Sequence, residues 1–299
     1  MSNTIRTENL SKRFHRVEAL KDLGMEVPEG AIYALVGPNG AGKTTAIKVL
    51  MNILRPTSGR AEVLGMDSRR LTGRAFSSIG YVSENQELPG WMRVDSFLAY
   101  LRPFYPTWDR ELENELVKQL ELPLDRKLKN LSRGMRIKAA LASSLAYRPK
   151  LIVLDEPFSG LDPLVRDQLT EGLLERAEEA TVLISSHDLA EVESFASHVG
   201  YLEQGSLRFS EEMADLTARF REVEVTFAVP PELPTHWPET WLHGDTSAAL
   251  VRFVDSQFDQ ERTSRQVRAL FRDVRNISFN PMSLRSIFVA LAKNRLKAA

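Results

Sequence analysis

The chain has 299 residues, of which 43 % are hydrophobic and 26 % charged; its net charge is −1 and it has no cysteine. That length suggests two domains with a proper buried core, and the near-neutral charge gives no global field to draw the chain to nucleic acid or anionic lipid. Without thiols there are no disulfides or thiolate metal sites, which fits a reducing compartment.

The start, Met1 to Arg6, lacks the apolar core of a signal peptide. No apolar run approaches the ~18–20 residues a membrane span needs, so any membrane role requires another chain. Ile5 to Leu10 reads as a strand, Ser11 to Arg16 as a polar turn, Val17 to Val27 as a second strand and Ala31 to Val36 as a third. Ala46 to Leu54 is expected as a helix, stopped by Arg55-Pro56-Thr57-Ser58-Gly59. Strands are expected over Arg60 to Met66 and Ile79 to Val82, the latter left by the polar loop Ser83 to Glu87. Residues 88–130 change character: they are helical and rich in aromatics, namely Trp91, Phe97, Tyr100, Phe104, Tyr105 and Trp108. Most of these are expected in the core, with one or two, Trp91 first, exposed for a partner. Leu112, Leu116 and Leu120 recur at spacing four, an amphipathic helix.

An Ala/Leu-rich helix over Arg136 to Tyr147, opened at Leu131 to Met135, precedes the apolar strand Leu151 to Leu154. Asp162-Pro163 caps the next helix, Thr181 to Ser185 is another buried strand, and a helix follows Ser186-His187-Asp188 to about Ser197. A hairpin over 199–209 closes an α/β domain with a largely parallel sheet, residues 1–212, which includes a helical subdomain at about 88–148. Residues 213–299 read as a small α+β domain. Its strands are Arg221 to Val229, Ala248 to Val254 and Val274 to Phe279, with helices over Gln260 to Arg272 and Ser283 to Leu296. The last helix gathers Leu284, Ile287, Phe288, Leu291 and Ala292 on one face, which packs on its own sheet or extends a dimer contact.

The chemistry starts at Gly37-Pro38-Asn39-Gly40-Ala41-Gly42-Lys43-Thr44-Thr45, which fits G-x-x-x-x-G-K-[ST] between an apolar strand and a helix. The glycines let successive N–H groups point at one phosphate, and the helix start adds partial positive charge. Lys43 reaches the β- and γ-phosphates and the Thr44 hydroxyl can ligate Mg²⁺. Asp155-Glu156 end an apolar strand, at the edge where α/β sheets bind ligands. There Asp155 can hold Mg²⁺ and Glu156 can orient or deprotonate water. His187 ends another such strand, where it either hydrogen-bonds a γ-phosphate or is a structural histidine. Phe14 either stacks on a nucleotide base or lies half-buried under a loop. Ser132 and Gly134 at a helix start form a second anion site, or an ordinary Ser-capped helix. Phosphoryl transfer usually needs an extra cation at the γ-phosphate, worth about 10³–10⁵ in rate. No arginine finger stands out in the sequence, so the second site of one subunit is expected to complete the first site of another.

The ordered set is the P-loop, the polar loop near 84–87, Leu131-Ser132-Arg133-Gly134, Leu151 to Pro157, Ser159-Gly160-Leu161-Asp162 and His187. It resembles the nucleotide-binding subunit of an ABC transporter over residues 4–212. The resemblance implies a P-loop NTPase of the ABC type, with ATP and Mg²⁺ as cofactors. It also implies a head-to-tail dimer with two ATPs sandwiched between P-loop and Leu-Ser-x-Gly elements. Carried over residue by residue, Phe14 is the base stacker, Gly37 to Thr45 the P-loop, and Ser132, Arg133, Gly134 and Met135 the site offered in trans. Asp155 goes to Mg²⁺, Glu156 to the base, Asp162 to the subunit contact and His187 to the switch. Two departures stand out. Glu84 aligns where the family has Gln, with Gln86 two positions late, and is a further candidate for Mg²⁺ or water. Arg133 and Met135 replace Gly and Gln.

The expected function is an ATP-hydrolysing subunit, a homodimer or paired with a paralogue. It would drive a separate integral membrane permease from the cytoplasmic side, with Glu84 to Trp108 facing that permease. The variant motif and the tail resemble the bacterial drug, peptide or cell-envelope export subgroup. A soluble ABC-type ATPase acting on nucleic acid or the ribosome is the alternative. The chain has no coiled-coil insertion, second ATPase module or basic excess to favour it, and no nucleic-acid partner is expected. An Asn-Lys-x-Asp base-reading motif is missing, which speaks against a GTPase.

Overall fold

In the computed structural model, which describes residues 2–177, 179–234 and 236–298, the apolar runs become strands and the Ala/Leu-rich stretches helices. Met1, the first residue of the stretch read for a signal peptide, lies outside the described residues. The chain divides into two units, Met1–Ser210 and Glu211–Ala299. In order, the first holds β1 (Asn3–Phe14), β2 (Val17–Pro28), β3 (Ile32–Val36), α1 (Lys43–Leu50), β4 (Ser58–Val63), β5 (Met66–Asp67) and α2 (Gly73–Phe76). It continues with β6 (Ile79–Ser83), α3 (Val94–Leu101), α4 (Arg110–Gln119), α5 (Arg133–Leu145), β7 (Leu151–Asp155) and α6 (Pro163–Ala177). It closes with β8 (Thr181–Ser186), α7 (Leu189–Glu193), β9 (His198–Glu203) and β10 (Ser206–Glu212).

Two sheets sandwich α1. One is antiparallel, β2-β1-β4-β5; the other has the order β10-β9-β3-β8-β7-β6, with parallel pairing from β9 through β6. Ile47 and Leu50 of α1 share one buried cluster with Leu10, Leu20 and Val63 of the first sheet and Leu35, Val153 and Leu183 of the second. Strands β7 and β8 are buried at every position, which is why they read as unbroken apolar runs rather than alternating ones.

Some expectations shift. Ser11 to Phe14 is not a turn: it continues β1, paired with β2 as far as Phe14 opposite Val17, and only His15 and Arg16 make the bend. A backbone ladder does not require apolar side chains where one face meets water. Helix α1 begins at Lys43, and Ser58-Gly59 belong to β4 rather than to a helix stop. Helix α7 ends at Glu193. Of the aromatics over 88–130, only Phe97 is buried; Tyr105 stacks on Tyr147 at 3.9 Å, whereas Trp91, Tyr100 and Phe104 are exposed. Leu112, Leu116 and Leu120 are buried, in and just after α4.

Helix α4 also buries Glu113. Arg102 Nη2 donates to its Oε1 at 2.5 Å and Trp108 Nε1 to its Oε2 at 2.7 Å. Burial pushes this carboxyl up, but the two donors outweigh it and the pKa is lowered. The pair therefore stabilises the fold above the unfolded Glu pKa and loses its contribution as pH falls through the lowered value. Glu113→Ala is expected to cost about 2 kcal/mol in urea unfolding at pH 7. That is less than the loss of a fully buried partner, because Arg102 reaches water.

The second unit holds α8 (Met213–Arg219), β11 (Arg221–Phe227), β12 (Trp241–Ser247), β13 (Leu250–Asp255), α9 (Gln260–Leu270), β14 (Val274–Pro281) and α10 (Leu284–Ala298). Its sheet runs β12-β13-β11-β14, antiparallel throughout. It has its own core of Val223, Val225, Val251 and Phe253 with Trp241, Val267 and Phe271. Strand β12 is absent from the sequence reading because its apolar residues stop after Trp241-Leu242, so no alternation marks it. On α10, Leu284, Ile287, Phe288 and Ala290 are buried, whereas Ala292 is exposed.

Candidate functional site

The parallel register lines up the carboxyl ends of four strands. Val36 lies opposite Ser186, Asp155 opposite Ser185, and Ser83 opposite Asp155. The residues that follow these strands, Gly37, His187, Glu156 and Glu84, therefore emerge along one edge. The loop after β3 then turns into α1 at Gly42, whose φ is +111°. A Cβ there would lie 2.5 Å from the Ala19 carbonyl oxygen, and one on Gly37 would lie 2.1 Å from that of Leu202. Only glycine fits this path.

The loop folds around the Lys43 ammonium. Its Nζ donates to the Gly37 carbonyl at 2.6 Å and the Pro38 carbonyl at 3.3 Å, and pairs with Glu156 Oε1 at 3.0 Å. Both side chains of this pair are nearly buried, at 5 % and 11 % exposure. The other oxygen of Glu156 lies 2.7 Å from His187 Nδ1. A carboxylate only accepts, so His187 carries a proton on Nδ1. Glu156 has φ +53°, in the left-handed region, and its N–H donates to Ser185 Oγ at 2.9 Å. The Ser185 hydroxyl in turn donates to Asp155 Oδ1 at 2.8 Å. Thr44 Oγ1 donates to the same oxygen at 3.0 Å.

Burial pushes the Asp155 carboxyl up; hydrogen bonds from Ser185 and Thr44 pull it back in part, and Glu156 adds to the rise. Thr44 and Asp155 are hard oxygen donors of the kind Mg²⁺ takes. Among the described residues no three His, Cys, Asp or Glu converge on a metal position. A cation here would thus fill its remaining positions with phosphate oxygens and water. Behind His187, Ser186 Oγ donates to Glu191 Oε2 at 2.8 Å, and Arg166 pairs with Glu191 at 2.9 Å.

A cavity of about 410 Å³ opens over these groups, lined by Asn39 to Thr45, Ala19, Glu84, Glu156, Ser159 and His187. Phe14 is not on its wall; it is 40 % exposed at the end of β1, with Lys12 Nζ 4.9 Å from its ring centroid. Glu84 is on the wall, and its Oε1 accepts from Arg133 Nη2 at 2.8 Å and Ser159 Oγ at 3.1 Å. Gln86 turns back to accept from the Ser83 N–H. Ser132 caps α5, its Oγ accepting from the Met135 N–H at 3.2 Å, while Gly134 sits against Val165 and Leu161. The Met135 sulfur is 3.8 Å from Arg126 Nη1. Exposed Asp162 caps α6, accepting from the Val165 N–H. The chain thus gathers Asn39 to Thr45, Glu156 and His187 at one cavity, with Asp155 off its wall and hydrogen-bonded to Thr44. Ser132 to Met135 and Asp162 do not line that cavity. Ser185 and Glu191 escaped the sequence reading: a serine inside a buried strand and a glutamate on a short helix carry no motif signal.

Residues 20–159 match the ABC transporter family. Among curated proteins, the chain is 30 % identical to the ABC transporter ATP-binding protein YxlF of Bacillus subtilis, over 79 % of this chain and 78 % of that one. It is 26 % identical to YtrB of the same organism over 96 % and 97 %, and 31 % identical to the bacitracin transport ATP-binding protein BcrA of Enterococcus faecalis over 74 % and 73 %. Among solved structures, an ATP-binding subunit of an ABC transporter superposes with a TM-score of 0.66 at 26 % identity, over 72 % of this chain and 92 % of that one.

Proposed function

The chain belongs to the ABC transporter ATP-binding family, and from that premise we propose that it is the ATPase subunit driving a separate integral membrane permease, acting as a peripheral protein on the cytoplasmic face. The reading rests on one observation above others: Lys43, Glu156 and His187 form a continuous hydrogen-bonded chain beside the Thr44–Asp155 pair. In this reading, Gly37 to Thr45 cradle the phosphates and Lys43 neutralises the terminal ones. Thr44 and Asp155 would hold Mg²⁺, which would supply charge neutralisation when bound. Glu156 takes the proton of the attacking water, and His187 orients Glu156. Ser132 to Met135 of a second copy cover the same ATP, with Asp162 at the contact between copies. Phe14, at the end of β1, is the base stacker.

No helix among the described residues is long and apolar enough to cross a membrane, which favours a separate spanning chain. Exposed Trp91, Tyr100 and Phe104 favour the 84–108 face for its cytoplasmic helices. The relative named for bacitracin transport favours drug or cell-envelope export. The test is steady-state ATP hydrolysis with a candidate polytopic permease chain co-expressed. The specific rate should rise with protein concentration, and co-purification should fail when residues 84–108 are replaced. A rate indifferent to concentration, or pull-down that survives the replacement, would sink the reading.

Asp155 carries a second test. Its folded pKa is raised, so its buried charge subtracts stability above that value and subtracts nothing below the unfolded Asp pKa of about 3.9. Asp155→Asn is therefore expected to raise Tm at pH 7–8 without nucleotide, with the gain fading toward about pH 4. The same variant should lose the extra Tm that Mg²⁺ adds to ATP. Differential scanning with and without Mg²⁺ reads both effects.

A further inference from the structure

Successive residues at the end of β8 turn to opposite sides. Ser185 and His187 both reach Glu156, one through its N–H and the other through its carboxylate. Ser186 between them points away, to Glu191. His187 is the single residue between β8 and Asp188, the cap of α7. The Ser186 hydroxyl clasps that step: Oγ accepts from the Asp188 N–H at 3.0 Å and donates to Glu191 Oε2 at 2.8 Å. Helix α7 has five residues, far fewer than a helix needs to hold itself, so contacts from other elements place its start.

Glu191 is the anchor of this clasp. Its side chain is 7 % exposed, and its other oxygen takes Arg166 Nη1, from α6, at 2.9 Å. Burial pushes the carboxyl up and Asp188 adds to the rise, while Ser186 and Arg166 hold it back. A carboxylate withdrawn from water costs stability unless its oxygens are met, and here both are met from outside α7. The backbone on either side of His187 is thus fixed jointly by β8, α7 and α6. Among the described residues, Glu156 is the one hydrogen-bond partner of the half-exposed His187 ring. The direction of that ring therefore follows from the backbone beneath it.

Building on the reading of His187 as the group that orients Glu156, we infer that Glu191 and Arg166 are positioning residues for His187. They act through the Ser186 hydroxyl on the backbone around His187, and so set the approach of its Nδ1 to the Glu156 carboxylate. Neither residue lines the nucleotide cavity, and no bond to either forms or breaks in the reaction.

The experiment uses the full chain and reads kcat and the Kd for Mg-ATP together. Glu191→Ala is expected to lower kcat about 10–100-fold, as loss of an orienting partner does, while Kd stays within about twofold. Binding persists because the Ser186 carbonyl still accepts from the Gly37 N–H, a backbone contact that no variant removes. Glu191→Gln keeps one acceptor for Arg166, and the Ser186 hydroxyl can turn to the Asp188 carbonyl 3.1 Å away, so most of the rate should return. Ser186→Ala cuts the link but leaves the Arg166–Glu191 pair, and should lower kcat about tenfold. The deciding variant is Glu191→Ala in a His187→Ala background. There it should lower kcat by less than about twofold further, since no ring is left to misplace. A merely structural residue would cost the same factor in both backgrounds. Unchanged kcat in Glu191→Ala or in Ser186→Ala, or losses that multiply in the double variant, overturn the inference. If Glu191→Ala loses ATP binding altogether, Ser186→Ala, alone and with His187→Ala, decides by the same measurements. His187→Ala by itself separates the two levels. An unchanged kcat there sinks the role of His187 and this inference with it, whereas a lowered kcat beside an inert Glu191→Ala sinks the inference alone.

Discussion

Replacing Glu156 with Gln should lower ATP turnover by about 10²–10⁴-fold while leaving ATP binding intact. The reasoning starts from the two contacts of its carboxylate. Oε1 holds Lys43 at 3.0 Å and Oε2 lies against His187 at 2.7 Å. Gln keeps the shape and one acceptor, but cannot take a proton from water. It also stops competing for the Lys43 charge, so the phosphates should find that lysine more readily. The expected result is a Kd for ATP that falls several-fold and a dimer that persists in Mg-ATP because it cannot turn over. Equilibrium nucleotide binding and light scattering with Mg-ATP measure both. Retained turnover would remove Glu156 from the role of base.

Lys43→Ala should have the opposite profile. Nucleotide affinity is expected to fall by at least 10²-fold, since on the proposed reading Lys43 and the loop N–H groups would supply the main attraction for the terminal phosphates. The fold should suffer as well. Glu156 is 11 % exposed and would lose its buried cation, and removing one member of such a pair costs about 3–5 kcal/mol. By contrast, Glu156→Gln leaves Lys43 donating to Gly37 and Pro38, and should destabilise less. The double variant Lys43→Ala/Glu156→Gln should be more stable than the sum of the singles, with a coupling of about 0.5–3 kcal/mol. Urea unfolding of the four proteins completes the cycle. Additive losses would mean that the pair contributes nothing to the fold.

The P-loop was legible because its constraint is on the backbone: residue types at fixed spacing suffice where only glycine fits at Gly37 and Gly42. The buried strands β7 and β8 were legible because both faces are covered, and their ends pointed to Asp155, Glu156 and His187. Strand β12 was not, because pairing with β13 sustains it without an apolar pattern of its own. The last residues of β1 were missed for the same reason. Ser185 was hidden by its setting: a hydroxyl in an apolar run looks like a tolerated small residue until Asp155 and the Glu156 N–H are seen on it. The Glu84–Arg133 pair lay beyond reach too. Each residue read as a lone departure from a family pattern, and only the fold makes the two departures one contact.

The Lys43–Glu156 contact also sets a threshold for what can occupy the cavity. A carboxylate fixed on the same scaffold competes for the lysine at a high effective concentration, whatever the solution contains. Orthophosphate or a small organic acid gains little more than that one ammonium and must first displace its tethered rival. On the proposed reading, a nucleoside triphosphate would also engage the row of N–H groups at the start of α1 and would bring its own divalent ion to Thr44 and Asp155. On the proposed reading, the site would discriminate against small anions, and its occupancy would follow the supply of nucleoside triphosphate.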